Sequence, residues 1–498
     1  MRILAWTALA LLVLAAAGAA LFVVFYRQAK VSTVGDVEFV NELRIPAIDR
    51  GARGDDGVVR YDLEVQAGET QFLADGPATA TWGVNGSFLG PTLRLRRGDT
   101  VEMNVANELP EATTLHWHGM HLPAAMDGGP HQMVEAGGSW RPTWIVDQPA
   151  ATLWYHPHPH GETAEHVQRG VAGMIIVEDP EAEAELPAEY GVDDVPVIIQ
   201  DRSFDGDNQF ATDDKFLSNV GILGDEVLVN GTHSPYFEAT TERVRLRLLN
   251  GSNARFYDLG FDDGRTFALI GTDGGLLAEP VELDRIPLSP GERAEIVVDV
   301  APGDRAVLRS FGGLGGGSFF NDRFNGHDDR FDVLELRAAG ELEPSPELPD
   351  TLAEIERLDP RSAATVREFR LSGTNINGRD MDMRRIDEVV TVGTTEIWEV
   401  RNADEQVHNF HVHDVQFQII DVAGDAPSPE AAGWKDTVAI RAGDTVRLIM
   451  RFADYSDPDV PHMFHCHILR HEDRGMMGQF VVVEPGDVAG SPPDDHDH

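Results

Sequence analysis

The chain has a single cysteine, Cys466, so no internal disulfide can form and stability rests on core size. A lone cysteine needs another account: a reactive thiol, an intermolecular bridge or a metal ligand. Lysine is almost missing too. Only Lys30, Lys215 and Lys435 occur, and 40 basic residues face 84 acidic ones for a net charge of −44. Such a balance argues against nucleic acid or an anionic membrane surface as partner, because phosphate binding relies on clustered Lys and Arg. The acidic surface reads either as a solvated, salt-tolerant coat or as a means of enriching metal cations. Helical periodicity is also scarce beyond the N-terminus, which argues against an α-helical body.

One long apolar run is present. Residues 3–26 carry no charge and lie between Arg2 and the pair Arg27 and Lys30. About 20 apolar residues span a bilayer, whereas a cleavable signal has an apolar stretch of about 7–15 residues before small ones. A cut at Ala17-Gly18-Ala19 would leave apolar residues 21–26 at the mature start. Residues 1–30 are therefore read as a signal anchor, a transmembrane helix, in preference to a signal peptide. Bases at both ends do not orient it. On either reading the body is exported, to a periplasmic or extracellular face, and meets the membrane only through this helix.

Beyond it the chain reads as short alternating strands broken by Gly, Pro, Asn and Asp, for instance residues 92–105 (TLRLRRGDTVEMNV), 243–249 (RVRLRLL) and 445–452 (TVRLIMRF). This pattern predicts an all-β protein built of β-sandwiches. Short helices are expected in connectors such as residues 351–358 (TLAEIERL). A repeat supports three sandwiches of about 150 residues each. Each copy opens on Asn-Gly, runs through two strands and reaches an Asn at the next turn: Asn107, Asn250 and Asn402. Histidine clusters follow the first and third Asn but not the second. The division is 31–185, 186–342 and 343–487, with a glycine-rich loop at residues 312–317 and a disordered tail at 488–498 whose DDHDH end is a loose metal-binding candidate.

Ten of the 19 histidines form four clusters: His116 and His118; His156 and His158; His408, His411 and His413; His465, His467 and His471. On a strand, residues i and i+2 share a face, so each His-X-His pair can aim two imidazoles at one point. Four such pairs, two early and two late, point to a metal cluster between the first and third sandwiches. In an extended His465-Cys466-His467 segment the thiol points one way and both imidazoles the other. Cys466 then holds one metal while its neighbours hold others, joined by a short covalent path for electrons. Cys466 with His408, His471 and Met476 makes the His2Cys set with a weak axial Met that marks a blue-copper site. Zinc prefers a closed tetrahedral set.

With these motifs the chain resembles the three-domain multicopper oxidases of the laccase and bacterial copper-efflux-oxidase type, over residues from about 40 to 484 and with all four copper motifs in order. The resemblance implies three cupredoxin-like Greek-key β-sandwich domains, copper-free in the second and carrying type 1 copper in the third. It implies four copper ions. His408, Cys466, His471 and Met476 match the type 1 ligands, and His116 and His411 the type 2 ligands. His118, His156, His158, His413, His465 and His467 match the ligands of the type 3 pair. His160 and His166 match no ligand position.

The implied activity is one-electron oxidation of a small reducing substrate coupled to four-electron reduction of O2 to water. Asp127 and Glu472 match the family's proton-delivering acids, and Asp404 is placed to orient His408. The axial Met suits easily oxidised donors such as phenols and aromatic amines. The cuprous-oxidase relatives carry a methionine-rich insert over the type 1 site, but residues 310–344 contain no Met. Asp382 and Asp404 echo the substrate-metal acids of those relatives, while Gln406 stands where a Met belongs. The reading is a laccase-like oxidase, with metal oxidation as alternative. Proteins of this fold that serve as envelope scaffolds or cell-division factors have lost their ligands, which this chain keeps.

Overall fold

A computed structural model describes residues 2–179 and 185–493. The helix Arg2–Gln28 is followed by strands arranged in six sheets that pack as three sandwiches. In the first, strand Thr100–Asn107 alternates as the pattern predicts: Val101, Met103 and Val105 enter the core with Tyr61, Leu63 and Leu95. The middle core gathers Leu246, Leu248, Ile296 and Leu334. The third is aromatic, with Phe369, Phe410, Phe464 and Phe480 around Trp398, and it also contains Cys466 and Met476. Cores of this size replace the missing disulfides as the source of stability.

The sequence repeat corresponds to one recurring pairing. Strand Val59–Thr70 runs parallel to Thr100–Asn107, Asp194–Arg202 to Arg243–Asn250, and Thr365–Ser372 to Thr394–Asn402. The three asparagines end the second strand of each pair and do the same work. Each Oδ1 accepts from the backbone N–H two residues on, at Leu109, Ser252 and Asp404. Each Nδ2 donates to two carbonyls: Glu111 and Val134, Arg255 and Leu288, Gln406 and Ile440. An Asn is needed because both a donor and an acceptor are buried at the same turn.

Three features depart from the sequence reading. Residues 351–358 are not helical; the segment has no regular secondary structure, with Leu352 packed in the middle core and Leu358 near the third sandwich, its N–H held by Gln418 Oε1 at 3.1 Å. Two separate apolar anchors outweigh local helix propensity. Residues 31–43, which the division at 31–185 places in the first sandwich, bind to the middle one: Asn41–Glu42 pairs with Pro235–Tyr236, and Leu43 enters the middle core. Strand Arg243–Asn250 looks half-solvated in sequence, yet Arg245 and Arg247 are buried against Asp194 and Glu295, with Thr152 of the first sandwich bonded to Glu295 at 2.6 Å. The residues of the tail past 493, including its DDHDH end, lie outside the described residues.

Candidate metal centre

Strand His116–His118 lies antiparallel to Ala151–His156, with His116 opposite His156 and His118 opposite Trp154. Trp117 turns into the first core against Trp144, so the two imidazoles face away from it. In the third sandwich, strand His408–Val412 lies against Asp457–His465 with His411 opposite His465. Eight imidazoles meet where the first and third sandwiches abut: His116, His118, His156, His158, His411, His413, His465 and His467, all buried. The His116 and His413 rings stack at 3.9 Å and those of His118 and His411 at 3.8 Å. His465 Nε2 lies 3.2 Å from Nε2 of both His158 and His413.

Their outward nitrogens are fixed from behind. The Nδ1–H groups of His116, His156 and His411 donate to the carbonyls of Asp127, Pro157 and Asp436 at 2.8–2.9 Å. His413 Nδ1 donates to Asp127 Oδ2 at 2.7 Å, and His118 Nε2 to Asp436 Oδ1 at 3.1 Å. Glu472 Oε2 stands 3.1 Å from His465 Nδ1, and its Oε1 3.4 Å from His158 Nδ1. Such backing sets the tautomer and leaves the other nitrogen's lone pair directed inward. Burial keeps six of the imidazoles neutral, pushing His158 and His467 down to about 3 and His118, His156, His411 and His413 well below their usual range.

Cys466 turns the opposite way. Its Sγ lies 3.6 Å from His408 Nδ1 and 3.8 Å from His471 Nδ1, and those two nitrogens are 3.3 Å apart. Met476 is buried in the same core, and its carbonyl accepts from the Cys466 N–H at 3.1 Å. The flanking His465 and His467 rings face the histidine cluster, 5.3 Å from His413 and 4.9 Å from His118. Burial pushes the Cys466 thiol up to about 12, so a thiolate there requires a cation. His408 Nε2 donates to Asp404 Oδ2 at 2.8 Å, and His471 Nε2 to the Asn219 carbonyl at 2.9 Å.

This donor set fits metal ions. His116 Nε2, His411 Nε2 and both nitrogens of His467 are buried without a hydrogen-bond partner, a state that costs free energy unless a ligand takes the lone pair. Ligand atoms of His116, His411 and His413, of His158, His413 and His465, and of His408, Cys466 and His471 each lie within 4.8 Å of one another.

The remaining candidates separate clearly. Asp127 and Glu472 are buried; burial opposes ionisation, but the imidazole N–H groups turned toward them, of His413 and His116 for Asp127 and of His465 for Glu472, hold their carboxyls well below the usual range. Asp404 is partly exposed, and its other contacts are Ser372 and the Gly373 N–H. Asp382 is exposed and bonds the Arg384 N–H, and Gln406 is buried with Nε2 3.3 Å from His408 Nε2. His160 is exposed, while His166 is buried against Trp82 and bonded to Thr113 and Glu111.

Sequence reasoning missed three residues. Asn409 Oδ1 accepts from both Cys466 Sγ (3.4 Å) and the His467 N–H (2.6 Å), clamping the bridge. Asp436 backs His118 and His411, and Arg293 of the middle sandwich holds Asp436 through two bonds of 2.8 and 2.6 Å. Asn409 lies inside the HNFHVH motif and was open to suspicion; Arg293 and Asp436 carry no local signal.

Gly128 explains the turn after Asp127. Its φ is +76°, and a Cβ there would stand 2.0 Å from the Leu115 carbonyl oxygen, beside His116. Gly128→Ala is expected to shift the backbone that carries His116 and Asp127. Elemental analysis should find reduced metal occupancy of the histidine cluster, while the cysteine site fills normally.

The geometry has counterparts among known proteins. Family profiles described as multicopper oxidase match residues 64–182 and 349–486. The multicopper oxidase mco of Staphylococcus haemolyticus is 35% identical over 455 residues, spanning 89% of this chain and 93% of that protein. The cell division protein FtsP of Escherichia coli (strain K12) is 38% identical over 429 residues, or 84% of this chain and 89% of that one. Among solved structures, a laccase from Pediococcus acidilactici superposes with a TM-score of 0.80 at 38% identity, covering 89% of this chain and 94% of its own. With its cupredoxin-like fold and buried histidine and thiol sites, the chain belongs to the multicopper oxidases, a family of copper-binding oxidoreductases.

Proposed function

We propose that the protein is a laccase-like oxidase that removes single electrons from phenolic or aromatic-amine donors and reduces O2 to water. The observation that carries this reading is the arrangement about residues 465–467, with a thiol on one side and two imidazoles on the other, each joined to its own buried donor set. On this reading four coppers bind. His408, Cys466, His471 and Met476 hold type 1 copper, and His116 and His411 hold type 2. His118, His156, His158, His413, His465 and His467 hold the type 3 pair. Bound copper supplies the one-electron chemistry at the thiolate and the O2 chemistry at the histidines. Asp127 and Glu472 carry protons to and from the cluster as well as orienting His413 and His465. Asp404 fixes His408 at the donor edge. We divide the chain at 31–185, 186–342 and 343–487, with residues 31–43 of the first division packed on the middle sandwich and the body on the exported side of a membrane.

Copper-loaded protein is expected to bind four coppers, to be intensely blue, and to consume O2 with a phenol. Cys466→Ser should remove colour and O2 consumption together while leaving most of the histidine-bound copper. Colour without O2 consumption would indicate an electron carrier instead. A strong, selective rate with Cu(I) would replace the phenol oxidase by the metallo-oxidase reading.

A further inference from the structure

We propose that the rim of the cysteine site is a bilayer-docking face, held there by the N-terminal helix, and that a lipid-soluble hydroquinone reaches the site from the membrane; the choice of donor rests on the oxidase reading above. The helix segment Leu9–Gln28 has mean hydropathy 2.6 and no part buried in the body. Its 20 residues, at 1.5 Å each, reach about 30 Å, the thickness of a hydrocarbon core.

The end of this helix meets the body through aromatic rings. Phe22 stacks on Phe320 at 6.4 Å, Tyr26 packs on Phe319 and Phe324 at 5.7 and 6.2 Å, and Phe25 meets Phe216 at 5.5 Å. Arg323 lies over the Tyr26 ring at 4.5 Å. Among the described residues of the body the exposed phenylalanines are Phe216 (67%) and Phe319 (69%), and both touch the helix. Leu217 is exposed beside Phe216. Aromatic rings exposed next to the end of a spanning helix lie at the level where a bilayer meets water. No other occupant is so directly indicated, because the same helix brings the lipid.

The inner sides of both contact segments hold the cysteine site. Asn219, three residues after Phe216, accepts from His471 Nε2 through its carbonyl. Asn321, in the helix Phe319–Phe324, donates to the Glu405 carbonyl at 3.0 Å; Glu405 follows Asp404, which accepts from His408 Nε2. Asn325 Oδ1 accepts from the Asn219 N–H at 3.2 Å, joining the two segments. Both outer imidazole edges therefore lie directly behind the surface on which the anchor rests. A long-chain hydroquinone shares that depth, with its ring at the interface and its tail in the lipid. Two hydroquinones give up four electrons and four hydroxyl protons, leaving as two quinones, and one O2 takes these up to form two waters.

The test uses full-length, copper-loaded protein in phosphatidylcholine vesicles. Nitroxides at Phe216→Cys and Phe319→Cys are expected to collide with lipid-enriched O2 and to be shielded from a water-soluble nickel chelate. A nitroxide at Ile145→Cys, an exposed position on the first sandwich, should be open to nickel. The double variant Phe216→Ser/Phe319→Ser should lose about tenfold in kcat/KM for a long-chain hydroquinone, from lost apolar burial, and nothing for a water-soluble one. Labels at 216 and 319 as open to nickel as that at 145, or equal losses for both donors, would overturn the proposal. If the parent protein oxidises neither donor, the oxidase reading fails, and the labels alone decide the docking face.

Discussion

Glu472→Gln is expected to slow O2 reduction by about 100-fold or more, the usual scale of a lost proton-transfer group, while the blue absorbance of the cysteine site persists. The substitution conserves volume and shape at a fully buried position, so packing around the helix Leu469–Asp473 is retained. Its amide oxygen can take the place of the carboxylate oxygen that now stands 3.1 Å from His465 Nδ1. What disappears is a group that takes up and releases a proton. A role limited to orienting His465 therefore predicts near-normal turnover in the Gln variant, and a proton role predicts a large loss with an enlarged solvent isotope effect on kcat. Asp127→Asn, beside His413 at 2.7 Å, should behave alike and serves as an independent reading of the same property. Equal turnover in parent and both variants would remove the two acids from the proton path.

Much of this arrangement was legible in the sequence because strand periodicity projects directly into space. A His-X-His pair on one strand face needs no tertiary knowledge, and the His465-Cys466-His467 segment splits as its alternation requires. The three asparagines were visible as a repeat, but their shared purpose, closing one buried donor and one acceptor at a turn, emerges only from the carbonyls that receive them. Residues acting across sandwich interfaces were silent. Arg245 and Arg247 alternate with apolar residues as a solvated strand face would, and nothing local indicates that a second sandwich covers them. The segment 351–358 shows the reverse error: helix-favouring residues were read as a helix, although Leu352 and Leu358 are drawn to separate cores.

The middle sandwich, without copper motifs of its own, is expected to be indispensable through one side chain. Arg293→Met should destabilise the protein by about 3–5 kcal/mol, as breaking a buried ion pair does. Arg293 is fully buried where all three sandwiches meet: it donates to the Thr152 carbonyl of the first, the Asp273 carbonyl of the middle and both oxygens of Asp436 in the third. Without it Asp436 loses its guanidinium partner, while Lys435 still pairs with Asp273 and Glu292. Asp436 in turn backs His118 and, through its carbonyl, His411, so the loss should reach the histidine cluster and lower its copper content. The double variant Arg293→Met/Asp436→Leu separates the two effects. Removing both charges should restore most of the stability measured by urea unfolding, because the carboxylate that the single variant leaves without its guanidinium is gone as well. His118 would still lack its carboxylate acceptor and keep only the Thr437 hydroxyl, 3.3 Å away, so copper content at the cluster should stay low. If the double variant is as unstable as the single one, volume rather than charge governs this junction, and the link from the middle sandwich to His118 is mechanical packing alone.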